Sequence, residues 1–152
     1  MRILTIKNKE EEKFLRRKTK PFDFADFSKK EIGDLIKGMR SIMKESDGIG
    51  LAANQIGFDF SMFVGEVDGK FYAVFNPGII KTSKGFEMLE EGCLSVPGDF
   101  GEVSRSDKIT LIGQDRNGKK IKIKAWGLLA RMFQHEVDHL NGKLFLDKVK
   151  KQ

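Results

Sequence analysis

Apolar residues along this chain fall into two stretches of helical spacing, with shorter runs between them. Ile32, Leu35, Ile36, Met39, Ile42 and Met43 recur every three or four residues, the spacing that lines one face of a helix. Ser28-Lys29-Lys30-Glu31 has the form of a capping box, and Asp47-Gly48 is a stop, so a helix is predicted over about residues 29–46 with the stripe as core packing. A second helix is predicted over residues 127–140, closed by Asn141-Gly142. Segments 60–67, 71–75 and 79–81 read as short strands, punctuated by Asp68-Gly69 and Asn76-Pro77-Gly78. Segments 109–114 and 119–124 flank Asp115-Arg116-Asn117-Gly118, a hairpin signal. The pattern predicts an α+β fold, with small antiparallel sheets packed around a central helix, the second one.

The chain's 152 residues suffice for one domain with a substantial core, so residues 1–152 are expected to form a single domain. No apolar run reaches the ~18 residues of a membrane-spanning helix. Met1 to Ile6 lead at once into Lys7 and the acidic Glu10-Glu11-Glu12, unlike a signal or transit peptide. The one cysteine cannot form an internal disulfide, which fits a reducing compartment, and a cytoplasmic location is expected. Net charge is +6, and much of the excess sits at Arg16-Arg17-Lys18 and at Lys148, Lys150 and Lys151. The plain reading is a solvated basic surface. The sharper one is weak attraction to an acidic assembly such as ribosomal RNA. No sequence-specific nucleic-acid motif is present. The tail after Asp147 is short, basic and expected to fray.

Composition changes the picture most through its scarcest residues. The two histidines are His135 and His139, in His135-Glu136-Val137-Asp138-His139, and the lone cysteine is Cys93, in Glu91-Gly92-Cys93-Leu94-Ser95. Histidines four apart on a helix share a face, together with Leu128, Arg131 and Met132 a turn or two earlier. Both imidazoles can reach one metal ion, with Cys93 as third ligand and a fourth tetrahedral position left for water. Cys93 taken alone reads as a small buried hydrophobe. The His-Glu-x-x-His pentapeptide favours a metal, and the two motifs together hold every soft or borderline ligand in the chain. A third motif is Gly48-Ile49-Gly50-Leu51-Ala52-Ala53-Asn54-Gln55. Its glycines permit close backbone approach, and the Gln55 amide can donate to an oxygen gaining negative charge. It lacks the lysine pattern of a phosphate-binding loop.

Together the three motifs closely resemble those of the peptide deformylases in content, order and spacing. The likeness extends through Val96-Pro97-Gly98, Arg105, Gln134, Leu140 and Gly142-Lys143-Leu144-Phe145, covering most of the chain from about Phe14 to Asp147. The first twenty residues are more charged than the family's. The chain stops soon after Leu146-Asp147, where many bacterial members continue into a further helix.

The resemblance implies removal of the formyl group from N-formylmethionine at the start of nascent polypeptides, releasing formate. It implies one divalent ion per chain on Cys93, His135 and His139, with Fe2+ expected in the cell and Zn2+, Ni2+ or Co2+ able to substitute. Glu136 would take a proton from the attacking water and return it to the departing amine nitrogen. The Gln55 amide and the Leu94 backbone N–H would stabilise the oxyanion. Peptide backbone would add as a strand against Ile49, Gly50 and Gly92. Ile49, Leu89, Leu128 and Met132 are expected to wall the methionine pocket, with Leu128 and Met132 equally readable as ordinary core. Arg131 would line the pocket mouth or be merely exposed. Arg105 would pair with Glu91 or a neighbouring acid, and Asp138 would support the site from behind. N-formyl-Met chains are the expected partners of a monomer in transient ribosome contact.

Two other readings remain open at this level. A His-Glu-x-x-His zinc peptidase commonly takes its third ligand downstream, and here no histidine follows His139. An inactive metal-binding or ribosome-associated module would need neither Glu136 nor Gln55.

Overall fold

The structure, a computed structural model, describes residues 1–149. Lys150 and Lys151, counted above among the basic ends, lie outside the described residues.

The chain opens with a short helix, α1 (Lys9–Leu15), that the pattern did not announce. The Asn8 side chain caps it by accepting from the Glu10 and Glu11 N–H groups at 2.9 and 3.1 Å. Glu10, Glu11 and Glu12 then sit in its first turn, where negative charge suits the helix dipole. The second helix, α2 (Lys29–Glu45), starts at the capping box: Glu31 N–H donates to Ser28 Oγ at 3.1 Å and Ser28 N–H to Glu31 Oε1 at 2.9 Å. Ile32, Ile36, Met39 and Met43 are its buried stripe.

A five-stranded antiparallel sheet follows the order β1 (Gly50–Ala52), β2 (Met62–Val67), β3 (Lys70–Thr82), β6 (Lys108–Gln114), β7 (Lys120–Trp126). Phe60, expected in β2, makes only an isolated bridge to Lys20. Asn76-Pro77-Gly78 does not separate two strands. It is a register shift inside β3, between Phe75 and Gly78 against β6. Asn76 stands at φ 49°, and its amide holds Phe22 N–H and C=O and Gln114. A bulge tolerates proline because its missing N–H is not needed by the ladder. The turn before β7 is a hairpin as expected.

The sheet's two faces carry separate cores. Met62, Val64 and Phe75 pack with α2 on one face. Phe63, Val74, Ile109 and Leu111 pack on the other with the third helix, α3 (Gly127–Leu140), through Ala130, Phe133, Val137 and Leu140. The remaining strands, β4 (Phe86–Cys93) and β5 (Val96–Ser106), form a separate two-stranded hairpin.

Just past the end of α3, Gly142 adopts φ 77°. A Cβ there would run into the carbonyl of Arg16. Gly142→Ala is therefore expected to destabilise the chain by at least about 1–2 kcal/mol, from left-handed backbone strain alone. An unchanged urea midpoint would show that position 142 carries neither the strain nor the clash.

Candidate metal centre

α3 faces the hairpin with its second side. Cys93 comes from the hairpin tip, where pairing jumps from Gly92↔Phe100 to Cys93↔Val96. Such an irregularity re-aims the side chain that follows it. Cys93 Sγ lies 3.2 Å from His139 Nε2, which lies 3.1 Å from His135 Nε2. The three ligand atoms fall within 4.8 Å of one another. One thiolate and two imidazole nitrogens turned inward on a common point form a donor set suited to a borderline-soft divalent ion, so the residues fit a metal.

Glu91 organises what stands behind these donors. Its Oε1 is 2.9 Å from His135 Nδ1, which assigns the proton to Nδ1 and frees Nε2 for the ion. Arg105 binds the same carboxylate in a fork, Nε to Oε2 and Nη2 to Oε1, both at 2.9 Å. Arg105 also reaches Asp138 at 2.6 Å, and Lys148 meets Asp138 at 3.0 Å. The expected roles of Arg105 and Asp138 thus correspond to contacts in the structure. Arg131 is 7% exposed, not a surface residue. Its guanidinium binds Glu91, the Val103 carbonyl at 3.0 Å and the Glu87 carbonyl at 2.6 Å. Burial alone would raise the Glu91 pKa; hydrogen bonds and charge from Arg105 and His135 more than offset it and hold the carboxyl well below the usual range.

Removing Glu91 would leave two buried guanidiniums without their shared carboxylate. Losing one partner of a buried pair typically costs about 3–5 kcal/mol, so Glu91→Ala is expected to lose stability on that scale. Urea denaturation measures it, and a loss under about 1 kcal/mol would mean that water replaces the carboxylate.

Glu136 is 3% exposed, and its Oε1 has no hydrogen-bond partner. Burial pushes its pKa up to about 7, against the opposing pull of His135 and Arg105. Burial likewise drives His139 well towards the neutral form. For His135 burial opposes charge, but hydrogen bonds to Cys93 and Glu91 and nearby negative charge raise it to about 10 in the metal-free chain. A divalent ion competes with that proton for Nε2. Gly50 makes room for Glu136: a Cβ there would meet the carboxylate. Gly65 does the same for Met132.

Gln55 is buried, with Oε1 accepting from Ala52 N–H at 2.9 Å. Its Nε2 points to Ser95 Oγ at 3.1 Å and Cys93 Sγ at 3.6 Å. Ser95, a member of the cysteine motif given no role above, thus orients the amide. Asn54 and Gln134, quoted above within the matching motifs but given no role there, are further supports. Asn54 Nδ2 donates to the His139 carbonyl at 2.6 Å. Gln134 clasps both backbone groups of Ser106, at 3.2 and 2.8 Å.

All of this opens into a cavity of about 520 Å³. Ile49, Gly50, Gln55, Gly92, Cys93, Leu94, Leu128, Arg131, Met132, His135 and Glu136 line it. Leu89, expected in its wall, does not: it is 42% exposed on β4. Arg131, stretched from Glu91 to the Glu87 carbonyl, fills the gap between α3 and β4 beside it.

The family model for polypeptide deformylase matches residues 1–152. A peptide deformylase of Halothermothrix orenii is 48% identical over 138 residues, covering 89% of this chain and 86% of its own length. The crystal structure of peptide deformylase from Thermotoga maritima superposes with a TM-score of 0.89 at 36% identity, covering 99% of this chain and 97% of its own. That of Synechococcus elongatus, solved with actinonin, gives 0.88 at 34% identity, covering 99% and 79%.

Proposed function

Since this chain belongs to the polypeptide deformylase family, we propose that Cys93, His135 and His139 hold the metal on which its reaction depends, and that Glu136 moves the protons. The reaction is metal-dependent removal of the N-formyl group from nascent peptides. The observation that carries the residue assignment is the inward-facing thiol and two imidazoles, set beside Glu136, a cavity-lining residue whose buried Oε1 has no hydrogen-bond partner.

When bound, the ion supplies Lewis-acid polarisation of the formyl oxygen and makes water a competent nucleophile near neutral pH. Glu136 takes a proton from the attacking water and delivers it to the amine nitrogen as that nitrogen leaves. The free N-terminus and formate are the products. The Gln55 Nε2–H that now points at Cys93 Sγ turns to the developing oxyanion, while Ser95 retains the other. The Leu94 backbone N–H is the second donor, at the edge of the same cavity.

The peptide enters as an added strand. β1 and β4 are each paired on one side only, and Gly50 and Gly92 at those edges line the cavity. Glycine at both places lets a neighbouring side chain pack close, Glu136 on Gly50 and Phe100 on Gly92. Ile49, Leu128 and Met132 supply apolar surface for the methionine side chain, whose flexibility suits a pocket without strict shape demands.

Residues 1–152 act as a single catalytic domain, a cytoplasmic monomer meeting formyl-Met chains in transient contact with the ribosome. The net charge of +6 supports the last point. No described helix is long and apolar enough to cross a membrane. Fe2+ is the ion assigned in the cell, on family membership and a thiolate–imidazole set that suits iron as well as Zn2+, Ni2+ or Co2+.

The test is a comparison of kcat/KM for formyl-Met-Ala-Ser and acetyl-Met-Ala-Ser. A formyl carbon carries only hydrogen, so a narrow space admits it and excludes an acetyl methyl. The formyl peptide is expected to be cleaved far faster, with formate released in equal amount to new amine. Hydrolysis of internal peptide bonds without formate would assign the same residues to a peptidase.

A further inference from the structure

α2 packs on β1 and β2 but leaves the same face of the sheet bare at β6 and β7. That bare face is a lysine field. Trp126 pairs with Lys108, Lys124 with Thr110 and Lys122 with Ile112 across the β6–β7 ladder, and Lys81 pairs with Thr110 from β3. Cross-strand partners share a face, so Lys81, Lys108, Lys122, Lys124 and Trp126 all project to the same side, where they line a shallow groove. Lys120 continues the row. All five lysines are exposed, and none forms an ion pair among the described residues. Trp126 is 70% exposed in their midst. None of these residues lines the metal-site cavity.

We propose that this β6–β7 face binds single-stranded RNA without regard to sequence, phosphates lying along the lysine rows and one base stacking on Trp126. Lys120, Lys122 and Lys124 recur at every second residue, roughly 6.8 Å apart along the strand, which lets successive lysines meet successive phosphates of an extended chain. Unpaired lysines supply the sequence-independent term, and an open indole supplies the stacking platform. An acidic protein surface would satisfy the lysines but has no use for the exposed ring. A lipid surface would need an apolar patch free of charges, whereas here the exposed Ile80, Ile112 and Trp126 are interspersed with the lysines. The face lies away from the metal site, so bound RNA leaves the peptide cleft open.

Trp126 is the chain's sole tryptophan, so its fluorescence reads this face alone. The metal-loaded full chain is titrated with a labelled twelve-nucleotide oligouridylate, following anisotropy and tryptophan quenching at 50 and 200 mM salt. Expected are saturable binding with quenching, and about fifty-fold weaker affinity at the higher salt, the slope for about four phosphates at −0.7 each. K108E/K122E/K124E should weaken binding at least ten-fold and flatten the salt slope, and Trp126→Ala should weaken it about ten-fold, with formate release from formyl-Met-Ala-Ser unchanged in both. The charge-matched K7E/K13E/K37E, placed elsewhere, should bind nearly as the parent. Equal losses in the two triple variants would reduce the effect to net charge and overturn the site. So would binding without quenching, equal affinity for polyglutamate, or quenching by phosphatidylserine vesicles but not by RNA.

Discussion

Glu136→Gln is expected to keep one divalent ion per chain and lose about 10²–10⁴-fold in kcat. The carboxylate is not among the three clustered donors, so the amide leaves that cluster intact. It is also nearly the same shape, in a space that Gly50 leaves open. What changes is basicity: an amide cannot accept the water's proton. Metal analysis and formate release on the same preparation separate the two functions. Turnover near the parent rate with full metal would remove Glu136 from the proton path. Lost metal would place the carboxylate in the ligand set instead.

Cys93→Ala should do the opposite, abolishing stoichiometric metal and activity together. Without the thiolate two imidazoles remain, too few to hold an ion in a three-ligand catalytic site. Gln55 would lose one contact but keep Ser95, so the fold around it should survive. Circular dichroism matching the parent, with metal below stoichiometry, is the expected signature. Full metal occupancy would exclude Cys93 from the centre.

Much of the site was legible because its chemistry sits in rare residues at fixed spacing. His135 and His139 needed only a helix to face one point, and that helix carried its own boundaries in the apolar period and in Asn141-Gly142. The same holds for α2, whose capping box and stripe agree. The hairpin β4–β5 was not legible. With no partner sheet over it, Phe86, Met88, Leu89 and Phe100 stand exposed, while Glu91 and Arg105 go inside. The in–out alternation that announces a strand is thereby scrambled. For Arg131 the sequence leaves pocket mouth and exposed surface both open, because nothing local shows that its counter-charge arrives from forty residues away; the structure lines the cavity with it and buries it. Leu89 reads as pocket wall because an apolar residue near the cysteine motif has no visible competitor for the space that Arg131 takes. Asn76-Pro77-Gly78 looks like a turn because turns and bulges draw on the same residues.

The hairpin that supplies the thiolate is secured to α3 chiefly by Glu91, Arg105, Arg131 and Asp138, with only a small apolar cluster at its base. Hydration of charged groups grows less favourable on heating, so the cost of keeping such ions dry falls, while apolar burial gains little more per unit area. The junction between β4 and α3 should therefore hold up on warming better than the faces packed by aliphatic side chains alone. Heat would be expected to loosen the periphery of this molecule before it separates Cys93 from the two histidines.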